Sequence, residues 1–239
     1  MNVSVKSPVF SVIIPTLQRS ADLDPLVTQC ASHPLVIEVL VINNASAPLS
    51  WDSPKVRVLQ QAENIYVNPA WNLGVVEAKG ELLAILNDDL SFDLKVFEYC
   101  AEVLERGRFS ILGPSPKAMN MSPRGKLRHR LTSLHTEPFG TAMFMKRENY
   151  VPIPEDMKIW GGDDWLMLNQ RKPVAELLGA AFRTEMSTTS GSPEFQRMRA
   201  DANRVSERYL LPLRGSQPWH FPARLMTRLR VLREKNFGR

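Results

Sequence analysis

Cysteine is scarce in this chain: Cys30 and Cys100 are the two in 239 residues, far apart, each within a segment of helical pattern. That excludes a disulfide scaffold and a zinc site of C-x-x-C spacing, and leaves two buried thiols as the reading. The four histidines, His33, His129, His135 and His220, form no H-x-x-x-H or H-E-x-x-H pattern. A helical zinc-hydrolase site is therefore not encoded. No G-x-x-x-x-G-K-[ST] run is present and no G-x-G-x-x-G follows the first apolar segment, which argues against P-loop NTPases and dinucleotide-dependent dehydrogenases. No apolar run approaches the roughly 20 residues of a transmembrane helix. Residues 1–6 (MNVSVK) carry no apolar h-region of a secretory signal. These absences lead to the expectation of a cytoplasmic protein. Internal repeats and low-complexity tracts are also missing.

An excess of basic charge is absent from most of the chain as well. Between positions 219 and 239 lie Arg224, Arg228, Arg230, Arg233, Lys235 and Arg239 against Glu234 alone, so this tail accounts for the whole formal charge of +5. The remainder is neutral, and a uniformly basic nucleic-acid surface is not indicated.

What is present is an alternation of buried-strand and helix patterns. Residues 9–15 (VFSVIIP) and 36–42 (VIEVLVI) are continuous apolar runs rich in β-branched side chains, as in parallel strands covered on both faces. A weaker helix is expected over 21–31 and a third strand over 55–59 (KVRVL). Asn68 and Pro69 read as N-cap and first residue of a helix over 70–79 that Gly80 stops. A strand over 81–86, a helix over 94–106 and a strand over 109–112 follow. This β-α-β-β-α-β-α-β order implies an α/β fold with a mostly parallel central sheet flanked by helices. Beyond it, 113–130 reads as a long mobile loop, 139–145 as a core strand, 165–170 as a helix, 174–182 as an apolar segment and 193–211 as a helix.

Asn87-Asp88-Asp89 directly follows the apolar run 82–86. Ligands of open α/β sheets bind outside the carboxyl ends of the strands. Two carboxylates there suit a divalent cation, and the cation suits a diphosphate. The plain alternative is a strand-to-helix turn, where Asn and Asp are common for backbone reasons. Gly161-Gly162-Asp163-Asp164 opens the helix at Trp165. Acids there complement the helix dipole, or one of them serves as a general base at a pocket mouth. Pro15-Thr16 and Asn43-Asn44 end strands at the same sheet edge as Asp88, while Asn64 and Asn72 flank or enter the helix near Pro69. Turn chemistry or solvent exposure accounts for each of these singly.

Taken in order, FSVIIPT (10–16), VLVINNAS (39–46), Asn64 with WNLG (71–74), KGE (79–81) before ILNDD (85–89), FGTAMFM (139–145) and GDDW (162–165) resemble the family 2 glycosyltransferases of GT-A fold, over roughly residues 9–190. The resemblance implies a Rossmann-like GT-A domain, placed at 1–212; the helical pattern of the tail adds a C-terminal extension (213–239). It implies an inverting transfer from a nucleotide-diphosphate sugar, a UDP-sugar at family level, to a hydroxyl of a glycan or lipid-linked acceptor in bacterial surface polysaccharide synthesis. Pro15, Thr16, Asn43, Asn44, Asn64, Asn72 and Asp88 would bind the nucleotide. Asp89, with Asp88, would hold Mn²⁺ or Mg²⁺. Asp164 would be the catalytic base and Asp163 would place the acceptor. Gly140, Thr141, Trp160 and Gly162 would line the donor and acceptor pocket. Three departures stand out: many members of that family have an acid where Asn43 or Asn44 stands, which leaves the nucleobase open; Asn87 replaces the first acid of a strict D-x-D; and no histidine follows the catalytic base as a third metal ligand, Glu185 being the candidate substitute.

In the tail, Phe221, Leu225, Leu229 and Leu232 recur at helical spacing, with Met226 beside them and basic residues around. Such a helix lies on a membrane surface, or packs on its own domain or a second subunit as a homo-oligomer. The membrane reading would place the protein at the inner face of the membrane. Competing functional readings are a nucleotidyltransferase, a non-catalytic nucleotide-sugar or glycan-binding domain, and an RNA-binding protein with a basic tail.

Overall fold

A computed structural model of the chain describes residues 8–120, 125–132, 138–184 and 193–237. Among the described residues ten strands run β1 (Phe10–Thr16), β2 (Val36–Asn43), β3 (Val56–Gln60), β4 (Leu82–Leu86), β5 (Leu90–Phe92), β6 (Ile111–Pro114), β7 (Arg128–Leu131), β8 (Ala142–Lys146), β9 (Ala175–Leu178) and β10 (Phe182–Thr184). The α-helices are α1 (Leu23–Ser32), α2 (Val67–Glu77), α3 (Lys95–Glu105), α4 (Gly162–Leu168), α5 (Pro193–Leu210) and α6 (His220–Phe237). Eight strands form one sheet of order β3-β2-β1-β4-β8-β6-β9-β7, while β5 and β10 pair separately. Strands β8 and β7 run against the other six. The fold is the mixed α/β, mostly parallel architecture expected, with a helix at the C-terminal end.

Burial on both faces explains the unbroken apolar runs. Along β1, Phe10, Val12 and Ile14 enter one core with α1 and α3, while Ile13 enters the other with α2 and α4. Successive strand residues point to opposite faces, so a strand covered on both sides has no polar phase. Glycine at 74 lets α2 sit directly on β1, since a Cβ there would lie 2.5 Å from Ile13 Cγ2.

Several expectations are corrected. Helix α2 begins at Val67, so Asn68 is not its cap; the preceding residue is Tyr66, held at φ 68°. Pro69 still falls in the first turn, where its missing N–H costs nothing. Strand β5 was not foreseen. Its Leu90 and Phe92 point inward and Ser91 less so, a three-residue alternation too short to read. The segment 113–130 is not one loop: Ile111–Pro114 extends into it, Pro116–Ala118 is a 3₁₀ turn, and Arg128–Leu131 is the sheet's edge strand. In 139–145, Phe139–Thr141 is a 3₁₀ turn and the strand starts at Ala142. The apolar segment 174–182 is broken between β9 and β10, where Gly179 has φ 80°. Asp163 and Asp164 lie inside the first turn of α4, not ahead of it. The expected boundary at 212/213 falls in the 3₁₀ turn Leu211–Leu213 that follows α5.

Among the described residues no helix is long and apolar enough to cross a membrane.

Candidate active site

Strand β1 has β2 on one side and β4 on the other, so the winding reverses between β1 and β4. Crevices at such switch points, outside the carboxyl ends of the strands, are where α/β sheets take ligands. Thr16 ends β1, Asn43 ends β2, and Asn87-Asp88-Asp89 follows β4. The strand ends are tied to one another there: Thr16 Oγ1 donates to Asp88 Oδ2 at 2.6 Å, and the Asn44 backbone N–H donates to Thr16 O at 2.9 Å. Burial raises the pKa of Asp88, the Thr16 hydrogen bond opposes that rise, and the neighbouring charge of Asp89 adds to it.

Asp89 is 6% exposed, and its Oδ2 accepts a 2.7 Å hydrogen bond from Thr184 Oγ1. Its Oδ1 is buried with no hydrogen-bond partner among the described residues. A buried carboxylate oxygen without a partner is costly. A hard divalent cation taking oxygen ligands would satisfy it, and Asp88 offers a second carboxylate alongside. Mn²⁺ or Mg²⁺ therefore fits the donor set. Among the described residues no cluster of three or more His, Cys, Asp or Glu side chains forms, and Glu185 lies outside the described residues. Diphosphate oxygens and water complete the shell of such ions elsewhere.

Thr184 had no sequence signal. The β5–β10 pairing puts it opposite Leu90, the residue after Asp89. Asn120 fixes it in turn, through Asn120 Oδ1 accepting from the Thr184 N–H at 3.0 Å. The segment expected to be a mobile loop is thus tied, through Asn120 and Thr184, to the Asp89 carboxylate.

The second acidic pair reaches the first through one short turn. The Asn87 N–H donates to Thr141 O at 2.9 Å, joining the acidic triplet to Phe139–Thr141. On the other side of that turn the Asp163 carboxylate lies against Gly140, where a Cβ would meet Oδ2 at 2.8 Å. Burial, then the charge of Asp164, pushes the Asp163 pKa up from 3.8 to about 6. Gly161 precedes α4 at φ 82°, a left-handed conformation that favours glycine. Gly162 packs against Asn68, with a notional Cβ 2.1 Å from Asn68 Oδ1. Asn68 is fully buried and donates from Nδ2 to Met157 O at 2.7 Å. It supports the acidic turn from below, a role its resemblance to a cap concealed. Trp160 is half-buried, and its carbonyl accepts from Ser206 Oγ of α5 at 2.7 Å.

Some expected nucleotide ligands are committed to protein. Asn43 Nδ2 donates to Ala47 O and to Gln60 Oε1, both at 2.7 Å, and Oδ1 accepts from Gln18 Nε2 at 3.0 Å and the Ala45 N–H at 3.1 Å. That fills all four capacities of a carboxamide, so in this structure Asn43 shapes the loop after β2. Asn72 holds the segment before α4, donating to Ile153 O at 2.8 Å and accepting from Tyr150 Oη at 2.7 Å and the Ile153 N–H at 2.9 Å. Asn64 Oδ1 accepts from the Tyr66 N–H at 2.8 Å and sets up the left-handed residue before α2. Asn44 is 8% exposed and its Oδ1 takes the Ile65 N–H at 3.2 Å. Gln18, which sequence reasoning passed over, stands in the crevice at φ 57° with its N–H on Thr16 Oγ1 at 2.8 Å. Pro15 is half-buried inside β1, paired with Ile42.

A doubly wound sheet with an acidic pair at its switch point and a second acidic pair beside it defines the GT-A class of glycosyltransferase folds. The model of glycosyl transferase family 2 matches residues 11–163, and the chain belongs to that family. Among solved structures, residues 1–349 of TarS from S. aureus superpose with a TM-score of 0.56 at 18% identity, over 84% of this chain and 69% of that one. The same protein in complex with UDP-GlcNAc gives 0.58 at 16% identity, over 84% and 71%. GalNAc-T7 with UDP, GalNAc and Mn²⁺ gives 0.58 at 11% identity, over 83% of this chain and 48% of that one. At these identities the likeness is one of fold. No curated protein matches the chain in sequence.

Proposed function

We propose that this protein is an inverting glycosyltransferase that moves a sugar from a nucleotide-diphosphate donor, a UDP-sugar, to a hydroxyl of a glycan or lipid-linked acceptor in bacterial surface polysaccharide synthesis. The observation that carries this reading is the joining of the two acidic pairs across Phe139–Thr141, together with a buried Asp89 Oδ1 that has no hydrogen-bond partner among the described residues. The complexes of TarS with UDP and UDP-GlcNAc, and of GalNAc-T7 with UDP and Mn²⁺, support it by likeness of fold.

On this reading Thr16, Gln18 and Asn44 border the nucleoside, and Asp88 and Asp89 hold Mn²⁺ or Mg²⁺. The bound ion would neutralise charge building on the diphosphate as it leaves. Asp164 takes the proton of the acceptor hydroxyl while that oxygen bonds to the anomeric carbon on the face opposite the departing diphosphate. Asp163, seated on Gly140, orients the acceptor. Thr141 and Gly162 shape the walls, and Trp160 borders the acceptor side.

Thermal unfolding against UDP, GDP, CDP and dTDP, with and without Mn²⁺, tests the site. Ligand at one hundred times its dissociation constant stabilises by about 2.7 kcal/mol. That moves the midpoint of a domain this size by roughly 5–10 °C. One nucleotide is expected to give a Mn²⁺-dependent shift that Asp89→Ala abolishes. Nucleotide release from the matching sugar donor then tests turnover, and Asp164→Asn is expected to lower kcat by about 10²–10⁴ with binding retained. Binding without turnover for any acceptor would favour a nucleotide-sugar-binding domain, and no shift with any nucleotide would remove the donor site.

A further inference from the structure

Helix α6 presents two faces, and the domain covers one of them. Ala223 is 1% exposed and the Thr227 hydroxyl oxygen is buried. Arg230 bonds Glu176 Oε1 at 2.5 Å and Leu131 O at 3.0 Å. Just ahead of the helix, Trp219 donates from Nε1 to Gln170 O at 2.8 Å. The other face is bare: Phe221 is 76% exposed, Leu225 48%, Met226 51%, Leu229 49% and Leu232 55%. At about 100° per residue, Phe221, Leu225, Leu229 and Leu232 form a stripe centred roughly 170° around the axis from the docked face. The stripe therefore points directly away from the domain. Arg224 and Arg228 line one flank and Arg233 the other, all exposed.

Exposed apolar patches of this kind mark contact surfaces, and the charges choose the partner. Residues 219–233 contain no Asp or Glu. Two copies meeting stripe to stripe would bring arginines of one sign together, which opposes a self-complementary interface. A bilayer bearing anionic lipids meets both demands, with headgroups for the arginines and an acyl boundary for Phe and Leu. We propose that α6 is a peripheral membrane anchor, docked by one face on its own domain and by the other on an anionic lipid surface. This stands apart from the sugar-transfer reading and shares no residue with it.

Removing the tail is a poor test, because Trp219 and Arg230 belong to the domain's packing. The full chain is instead sedimented with vesicles of phosphatidylcholine alone, or of phosphatidylcholine mixed with phosphatidylglycerol. Binding is expected to the mixed vesicles, weakening in high salt. The triple variant Leu225→Ser, Leu229→Ser, Leu232→Ser is expected to stay in the supernatant. Arg224→Gln with Arg228→Gln lowers partitioning by roughly thirtyfold. Both variants alter exposed positions and are expected to keep the wild-type melting midpoint. No binding of the wild type to mixed vesicles would overturn the proposal, as would equal binding by the triple variant or to neutral vesicles. A lipid-free dimer that the triple variant disperses would overturn it too, making the stripe an interface between copies.

Discussion

Asp163 carries a carboxylate whose setting opposes its own ionisation. It is held against Gly140 and beside Asp164, and its pKa rises from 3.8 to about 6. Between those values the folded chain keeps the proton more readily than the unfolded chain. The contribution of Asp163 to stability therefore falls as pH rises through that window, and is fully unfavourable above it. Asp163→Asn is expected to raise the melting midpoint at pH 7.5, and the gain to shrink as pH is lowered towards 4. A midpoint unchanged or lowered at pH 7.5 would show that the carboxylate is not held at a cost. The neighbouring carboxamides were legible only as residue types. That Asn43 spends its side chain on Gln18, Ala45, Ala47 and Gln60 follows from where four distant backbone segments meet, which no local pattern records.

At the scale of elements, the two-stranded β5–β10 ribbon decides how Asp89 is held. Phe92 stacks on Phe182 at 5.5 Å and meets Phe144 edge-on at 6.1 Å, which fixes the ribbon to the main sheet. Phe144 also touches Phe10 at 6.2 Å and Phe97 at 5.8 Å, so one ring joins β1, α3, β5 and β8. Phe144→Ala is expected to cost about 3–5 kcal/mol in urea unfolding, through lost burial and the cavity left behind. Thr184→Val keeps the shape but removes the hydroxyl that orients Asp89. Losing such an outer-shell partner is expected to weaken metal affinity by about 10–100-fold. Calorimetric titration with Mn²⁺ and nucleotide reads this, and an unchanged affinity would detach Thr184 from the site. The long strands were legible because two-sided burial leaves unbroken apolar runs. The three-residue strands β5 and β10 were not, because so short a segment takes its conformation from its partner.

For the whole molecule, the tail is part of the domain as much as an appendage. Glu176 is 1% exposed in β9 and receives both Arg130 of β7 and Arg230 of α6. Removing a partner of a buried charge costs far more than an exposed ion pair contributes, because the remaining charge is left less compensated. Arg230→Met is expected to lower the melting midpoint by several degrees with nucleotide affinity unchanged, since α6 docks at the β7 edge and away from the β1–β4 crevice. A midpoint equal to wild type would mean that Arg130 alone satisfies Glu176.

The sequence by itself determined the fold class, the succession of strands and helices, and the two acidic pairs, because periodic burial and strand-end carboxylates are written locally. It also carried the amphipathic stripe of residues 221–232 and the concentration of positive charge around it. The tertiary structure decided which polar groups face a ligand and which hold the protein together. It alone shows that Thr184 and Asn120 brace Asp89, that Asn68 supports the α4 turn, and that one face of α6 is covered while the other is bare. The physical reason is the range of the interactions: hydrogen bonds across 64 to 95 residues of chain arise only when strands pair and cores close, and no window of the sequence contains both partners.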